Sequence, residues 1–199
     1  FEEKHPKYVE PQNPLMFMRT KPNQFIYQSQ RDGYNHLYLY DNDGKLIKQL
    51  TKGDWIVTSI VGFDAKEENL FFISNYGDVI GRQLCSVNLK NGKMTRVTKT
   101  IGTHNGQLSK DGSLWIDFNA STTVLNEVTM IQTKTGKVTS LLTSKNTYEG
   151  ISLPNVEMVT VLSADGKTPL CGRLTTPANM DKSKKYPTIV YVYGGPHLQ

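Results

Sequence analysis

Two cysteines, two tryptophans and four histidines are all that this 199-residue sequence offers of its rarer side chains. Cys85 and Cys171 lie far apart and match no metal-ligand spacing. They are read as buried free thiols rather than a disulfide, which leaves the redox compartment open. There is no CxxC, no HxxxH and no acidic loop of the calcium type, so no metal site is expected. Phosphate-cradling loops and RNA-stacking aromatic motifs are missing too, so no cofactor is expected. The longest apolar run falls far short of the ~20 residues of a membrane helix. The opening "FEEKHPKYVE" is polar and acidic, not a secretory leader, so any targeting segment either lies upstream or does not exist. The net charge of +5 does not point to nucleic acid. Its lysines are spread singly, and the one cluster, "DKSKKYP" at Asp181 to Pro187, reads as a linker rather than a basic face. With 37% hydrophobic and 21% charged residues the composition is that of a folded, soluble protein. The sequon at Asn119 is a sequon in form only, since such triplets recur by chance.

Helical periodicity is almost absent. Short β-branched or aromatic runs recur instead, closed by Asp-Gly, Asn-Gly or Thr-Gly, the grammar of hairpins. The turns "DNDGKL", "LKNGKM" and "TKTGKV" place Gly44, Gly92 and Gly136 at steps of 48 and 44 residues. Each turn is preceded by a paired run of strands and followed by a similar ending: "IKQLTKGDW", "TRVTKTIGTH" and "TSLLTSKNTYEG". An all-strand period in the forties predicts a β-propeller with one four-stranded blade per repeat. "VTSIVGFDAKEENL" and "HNGQLSKDGSL" would supply innermost strands. A β-sandwich also spaces strands regularly, but it would not repeat the whole strand-turn-ending unit three times. Three blades do not close a ring, so the repeats predict part of a propeller.

Beyond a boundary near Ile151 to Leu153 the pattern changes. A hairpin of Val156 to Leu162 and Leu170 to Thr175 is predicted around Asp165-Gly166. The linker follows, and then "YPTIVYVYGGPHLQ". Its run from Ile189 to Tyr193 has no polar face, which predicts a strand in the middle of a covered sheet.

The units "RDGYNHLYLYD", "LTKGDWIVTSI" and "LFFISN", followed by "LPNVEM" and "DKSKKYPTIVYVYGGPHLQ", closely resemble the dipeptidyl peptidase IV branch of the prolyl oligopeptidase family. The resemblance runs from "HPKYVEP" onward. Members are serine peptidases in which a β-propeller caps an α/β-hydrolase domain. The resemblance implies an all-β partial propeller of about three four-stranded blades over residues 1–152. It makes residues 153–199 the first strands of the hydrolase domain. It gives Tyr193 an oxyanion-hole role, its hydroxyl donating to the tetrahedral intermediate, with Gly194, Gly195 and Pro196 shaping the loop. Read without the resemblance, Tyr193 is one more strand aromatic.

A serine hydrolase of that fold needs G-x-S-x-G, then an acid, then a histidine. No such elbow occurs here, and the triad is expected downstream of Gln199. His5 is placed in the N-terminal tail, His36 in a blade strand, His104 in a blade loop and His197 after the oxyanion loop; all are read as surface or packing residues. Glu2-Glu3 resembles the family's amino-anchoring glutamate pair in letters only and sits in the wrong place. The expected parent is a serine exopeptidase removing N-terminal dipeptides with Pro or Ala second, its partners being peptide substrates. The 199-residue piece is expected to be inactive alone. Its missing blades and hydrolase domain would belong to the same chain. The strand Ile189 to Tyr193 and the flanking blades would expose edges normally covered by partners, which predicts that the piece self-associates. A homodimeric parent and a bacterial periplasmic or cell-surface location are further implications of the resemblance. A non-catalytic propeller interaction module, or a tripeptidyl or acylaminoacyl peptidase of the same family, remains an alternative.

Overall fold

Every repeat turn is closed by a glycine in left-handed backbone, with φ of 78° at Gly44, 73° at Gly92 and 72° at Gly136. Only glycine enters that region without steric cost, which is why the period is legible as a series of glycines. The computed structural model describes residues 2–10 and 14–193, and contains strands but no helix among them. β1 (Met16–Phe17), β2 (Gln24–Ser29), β3 (His36–Asp41) and β4 (Leu46–Gln49) form the first antiparallel sheet in sequence order. β5 (Val57–Phe63), β6 (Asn69–Ser74), β7 (Gln83–Asn88) and β8 (Met94–Arg96) form the second. The third holds β9 (Thr103–Leu108), β10 (Leu114–Ala120), β11 (Glu127–Gln132) and β12 (Val138–Thr143). Three consecutive four-stranded meanders are three propeller blades, so the fold is all-β and a partial β-propeller.

The shared ending of each repeat has a physical cause in the first two blades. Thr51 Oγ1 accepts from the Leu37 amide at 2.9 Å and meets His36 Nδ1 at 3.1 Å. In the second blade Thr98 Oγ1 accepts from the Leu84 amide at 3.1 Å and donates to Gln83 Oε1 at 2.6 Å. One threonine after the outer strand thus satisfies the first polar groups of the third strand. Thr143 stands opposite Glu127 at the same place in the third blade.

Between blades the packing is apolar. Ile26, Leu37 and Leu39 of the first blade meet Leu70, Phe72 and Val87 of the second. Phe71, Ile73 and Leu84 of the second meet Trp115 and Ile131 of the third. β6, "NLFFIS", therefore sends Leu70 and Phe72 to one neighbour and Phe71 and Ile73 to the other. Its lack of a polar face follows from being covered on both sides.

The chain divides into two compact units after Asn146. In the second, β13 (Asn155–Leu162) pairs with β14 (Pro169–Thr176) around Gly166, the predicted hairpin. Three expectations are corrected. Ile189 to Tyr193 is not a strand, and Ile189 is 95% exposed. A strand exists only through ladder bonds to a neighbour, and β13 and β14 pair only with each other. Cys85 is buried as expected, but Cys171, in the two-stranded sheet of β13 and β14 whose residues are mostly exposed, is exposed too. His104 lies in β9 rather than a loop, opposite Asn119 of β10.

Candidate functional site

Tyr193, the residue given the oxyanion role, follows the run of exposed apolar residues and is 57% exposed. Gly194, Gly195, Pro196 and His197 lie outside the described residues. The polar chemistry that the structure assembles lies instead among the blades.

His104 and Asp117 face each other across β9 and β10, both almost wholly buried. Asp117 Oδ2 is 2.7 Å from His104 Nδ1, and Trp115 Nε1 donates to Asp117 Oδ1 at 2.9 Å. On the other side of the ring, Nε2 is 3.2 Å from both the hydroxyl and the carbonyl oxygen of Thr100. That carbonyl also accepts from Arg96 Nη2 at 2.9 Å and Gln83 Nε2 at 3.2 Å. Hydroxyl, imidazole and carboxylate stand in the order of a general-base relay. Here the three link the connection before β9 to the centre of the third blade, and the imidazole is held at both nitrogens. The pair is a brace.

A second carboxylate ties the first blade to the second. Glu67, in the turn between β5 and β6, has a side chain only 1% exposed. It accepts from the Arg19 amide at 2.9 Å and Arg19 Nε at 3.2 Å. It also accepts from the Thr20 amide and the Thr20 hydroxyl, both at 2.6 Å. Burial alone would raise its pKa, but these donors outweigh that and bring it down to about 2. Glu67 sits at φ 53°, a strained left-handed position for a side chain, which the four bonds offset. A cleft of about 690 Å³ opens beside it, lined by Lys21, Lys66, Lys90 and Asn88.

The third cluster holds the N-terminal arm. Glu3 accepts from the Tyr27 hydroxyl at 2.6 Å and from the Ser29 hydroxyl, with Arg31 Nε 3.9 Å away. Arg31 in turn lies 4.4 Å over the Tyr38 ring and donates to the Tyr40 hydroxyl at 2.6 Å. Burial, then the bond to Glu3, push the Tyr27 phenol up to about 12. Glu3 is thus engaged in anchoring its own segment. Among the described residues no group of three or more His, Cys, Asp or Glu side chains could hold a metal ion.

The profile of the dipeptidyl peptidase IV (DPP IV) N-terminal region matches residues 1–124, more than half of the chain. This chain belongs to the DPP IV family. A crystal structure from Bacteroides ovatus described as a dipeptidyl aminopeptidase IV is 41% identical, with a TM-score of 0.87. The likeness covers 98% of this chain and 30% of that one. Dipeptidyl peptidase 4 of Porphyromonas gingivalis is 26% identical with a TM-score of 0.76, over 87% of this chain and 24% of that chain. Dipeptidyl peptidase 4 from the fungus Arthroderma otae is 27% identical over 177 residues, 86% of this chain but 23% of its own length. The chain therefore spans about a quarter of the curated relatives it matches.

In this DPP IV-family chain the repeat spacing marks the turns, but the buried polar residues were missed. Asp117 reads as one charge in "WIDFN", and nothing in a single sequence pairs it with His104. The one local mark is Asp117 itself, an acid set among Trp115, Ile116 and Phe118 of β10, where an uncompensated charge would be costly.

Proposed function

We propose that the chain forms part of a serine-type dipeptidyl peptidase that removes N-terminal dipeptides with Pro or Ala in the second position. The single observation that supports this most is the DPP IV profile match over residues 1–124. In this reading residues 1–152 are propeller blades and residues 153–199 begin the α/β-hydrolase domain. Tyr193 then donates its hydroxyl to the oxygen that becomes negative when a serine attacks the scissile carbonyl. Gly194, Gly195 and Pro196 are assigned to the same oxyanion loop in this reading. A donor so placed stabilises the transition state by roughly 3 kcal/mol, about 10²-fold in rate. The nucleophile, its base and the acid that orients it are supplied by residues outside this chain, so residues 1–199 alone are inactive.

The test uses a chromogenic X-Pro substrate with the whole encoded protein and with residues 1–199. The whole protein should turn it over and react with a serine-directed fluorophosphonate, while residues 1–199 should do neither. Turnover by the 199-residue piece, or none by the whole protein, would overturn the proposal.

A further inference from the structure

Lysines that stand singly along the sequence are gathered by the fold. Lys21 lies in the turn β1–β2, Lys66 in β5–β6 and Lys90 in β7–β8, and in sequential meanders these turns share one end of the blades. All three line the cleft of about 690 Å³ beside Glu67. Among the described residues none of their ammonium groups has an ion-pair partner. Two acids share the lining. Glu67 is paired with Arg19 and bonded to Thr20, which leaves Glu68 as the one opposing charge. The cleft is cationic.

Its walls are braced from blade to blade. Glu67 of the second blade holds the Arg19 and Thr20 amides of the first at 2.9 and 2.6 Å. Lys48 Nζ of β4 donates to the Leu89 and Lys90 carbonyls at 3.4 and 3.1 Å. The Leu89 amide donates to the Glu68 carbonyl at 2.8 Å, joining the two turns of the second blade. A site fixed before its ligand arrives loses little freedom on binding.

The rest of the lining narrows the ligand. Met18, Leu39 and Leu89 give it an apolar part. Gln24 also lines it, and Gln24 Oε1 is buried with no hydrogen-bond partner among the described residues. Such an acceptor calls for a donor. No aromatic side chain is present in the lining, so a nucleobase has nothing to stack on. Inorganic phosphate has no apolar face to offer. An acidic sugar carries the whole set on one ring: C–H bonds for the leucines, a hydroxyl for Gln24 and a carboxylate for the lysines. An acidic peptide holds its carboxylates on rotating side chains, which must be ordered at a cost.

We propose that this cleft between the first and second blades binds an acidic oligosaccharide. Its carboxylates lie against Lys21, Lys66 and Lys90, and a hydroxyl donates to Gln24 Oε1. The site is separate from the peptidase chemistry proposed above and does not depend on it.

The test is calorimetric titration of the whole encoded protein with trigalacturonate. Its methyl ester, which keeps the ring hydroxyls and loses the charge, a triglutamate peptide and inorganic phosphate are titrated beside it. Trigalacturonate should bind at least about 10-fold more tightly than any of the three. Lys21→Gln, Lys66→Gln and Lys90→Gln, all at exposed positions, should each weaken it about 3-fold and together about 30-fold. Lys134→Gln in the third blade should change nothing, and Glu68→Gln should tighten binding about 3-fold. Gln24→Leu should weaken trigalacturonate about 5-fold. No binding of trigalacturonate, equal binding of the triglutamate peptide, or a triple lysine variant that binds as well as the parent would overturn the proposal.

Discussion

The Glu67 carboxylate of the second blade caps Thr20 of the first, taking both its amide and its hydroxyl at 2.6 Å. The folded pKa of about 2 lies below the ordinary 4.5, so the folded state holds Glu67 ionised where the unfolded state has begun to take up a proton. Its contribution is full above pH 4.5 and is lost as pH falls toward 2, an amount on the order of 2–3 kcal/mol. Glu67→Gln should cost about that much at pH 7 and flatten the acid limb of stability between pH 5 and 2, as read by urea melts across that range.

The His104–Asp117 brace predicts a large loss for a small change. Asp117→Ala leaves both the imidazole Nδ1 and the Trp115 indole N–H without their acceptor in a dry interface. A cost of about 3 kcal/mol is expected, against under about 1 kcal/mol for the exposed control Asp43→Ala. Denaturant midpoints with unchanged slope would decide it; equal midpoints for the two variants would refute the brace.

Gly112 and Gly136 separate backbone strain from collision. Both are left-handed, at φ 71° and 72°. A Cβ at Gly136 would meet nothing within 4 Å, whereas at Gly112 it would lie 2.5 Å from Asp64 Cα. Gly136→Ala should cost about 1 kcal/mol, and Gly112→Ala at least about 1 kcal/mol more, because backbone must shift. Thermal melts of the two variants measure the difference.

On the oxyanion role proposed for Tyr193, Tyr193→Phe in the whole encoded protein should lower kcat roughly 10²-fold with little change in KM, because the bond removed would form only in the transition state. Tyr186→Phe, whose hydroxyl accepts from the Asp181 amide at 3.0 Å, is the comparison and should leave kcat unchanged. A matched fall in both variants would remove Tyr193 from the oxyanion role.

Glycine spacing made the blades readable, since a left-handed turn admits few other residues and leaves its mark at one position. The doubly apolar "LFFIS" likewise announces a strand covered on both faces. The same logic failed at "IVYVY". An apolar run records what a strand would need, and Ile189 to Tyr193 lacks the paired neighbour in this chain. Asp78, Glu67 and Asp117 were illegible for another reason. Each takes at least one bond from a group on another strand or turn, Gly102 for Asp78, Arg19 and Thr20 for Glu67 and His104 for Asp117, and a lone acid carries no sign of whether water or a buried donor will satisfy it.

The two-sided packing of β6 sets an order of events during synthesis. Leu70 and Phe72 can be covered as soon as the second blade leaves the ribosome, because Ile26 and Leu37 have already emerged. Phe71 and Ile73 must wait for Trp115 and Ile131. For that interval the nascent polypeptide presents half of a finished interface uncovered, the kind of surface that chaperones bind. Trp115 is the residue whose arrival ends the exposure.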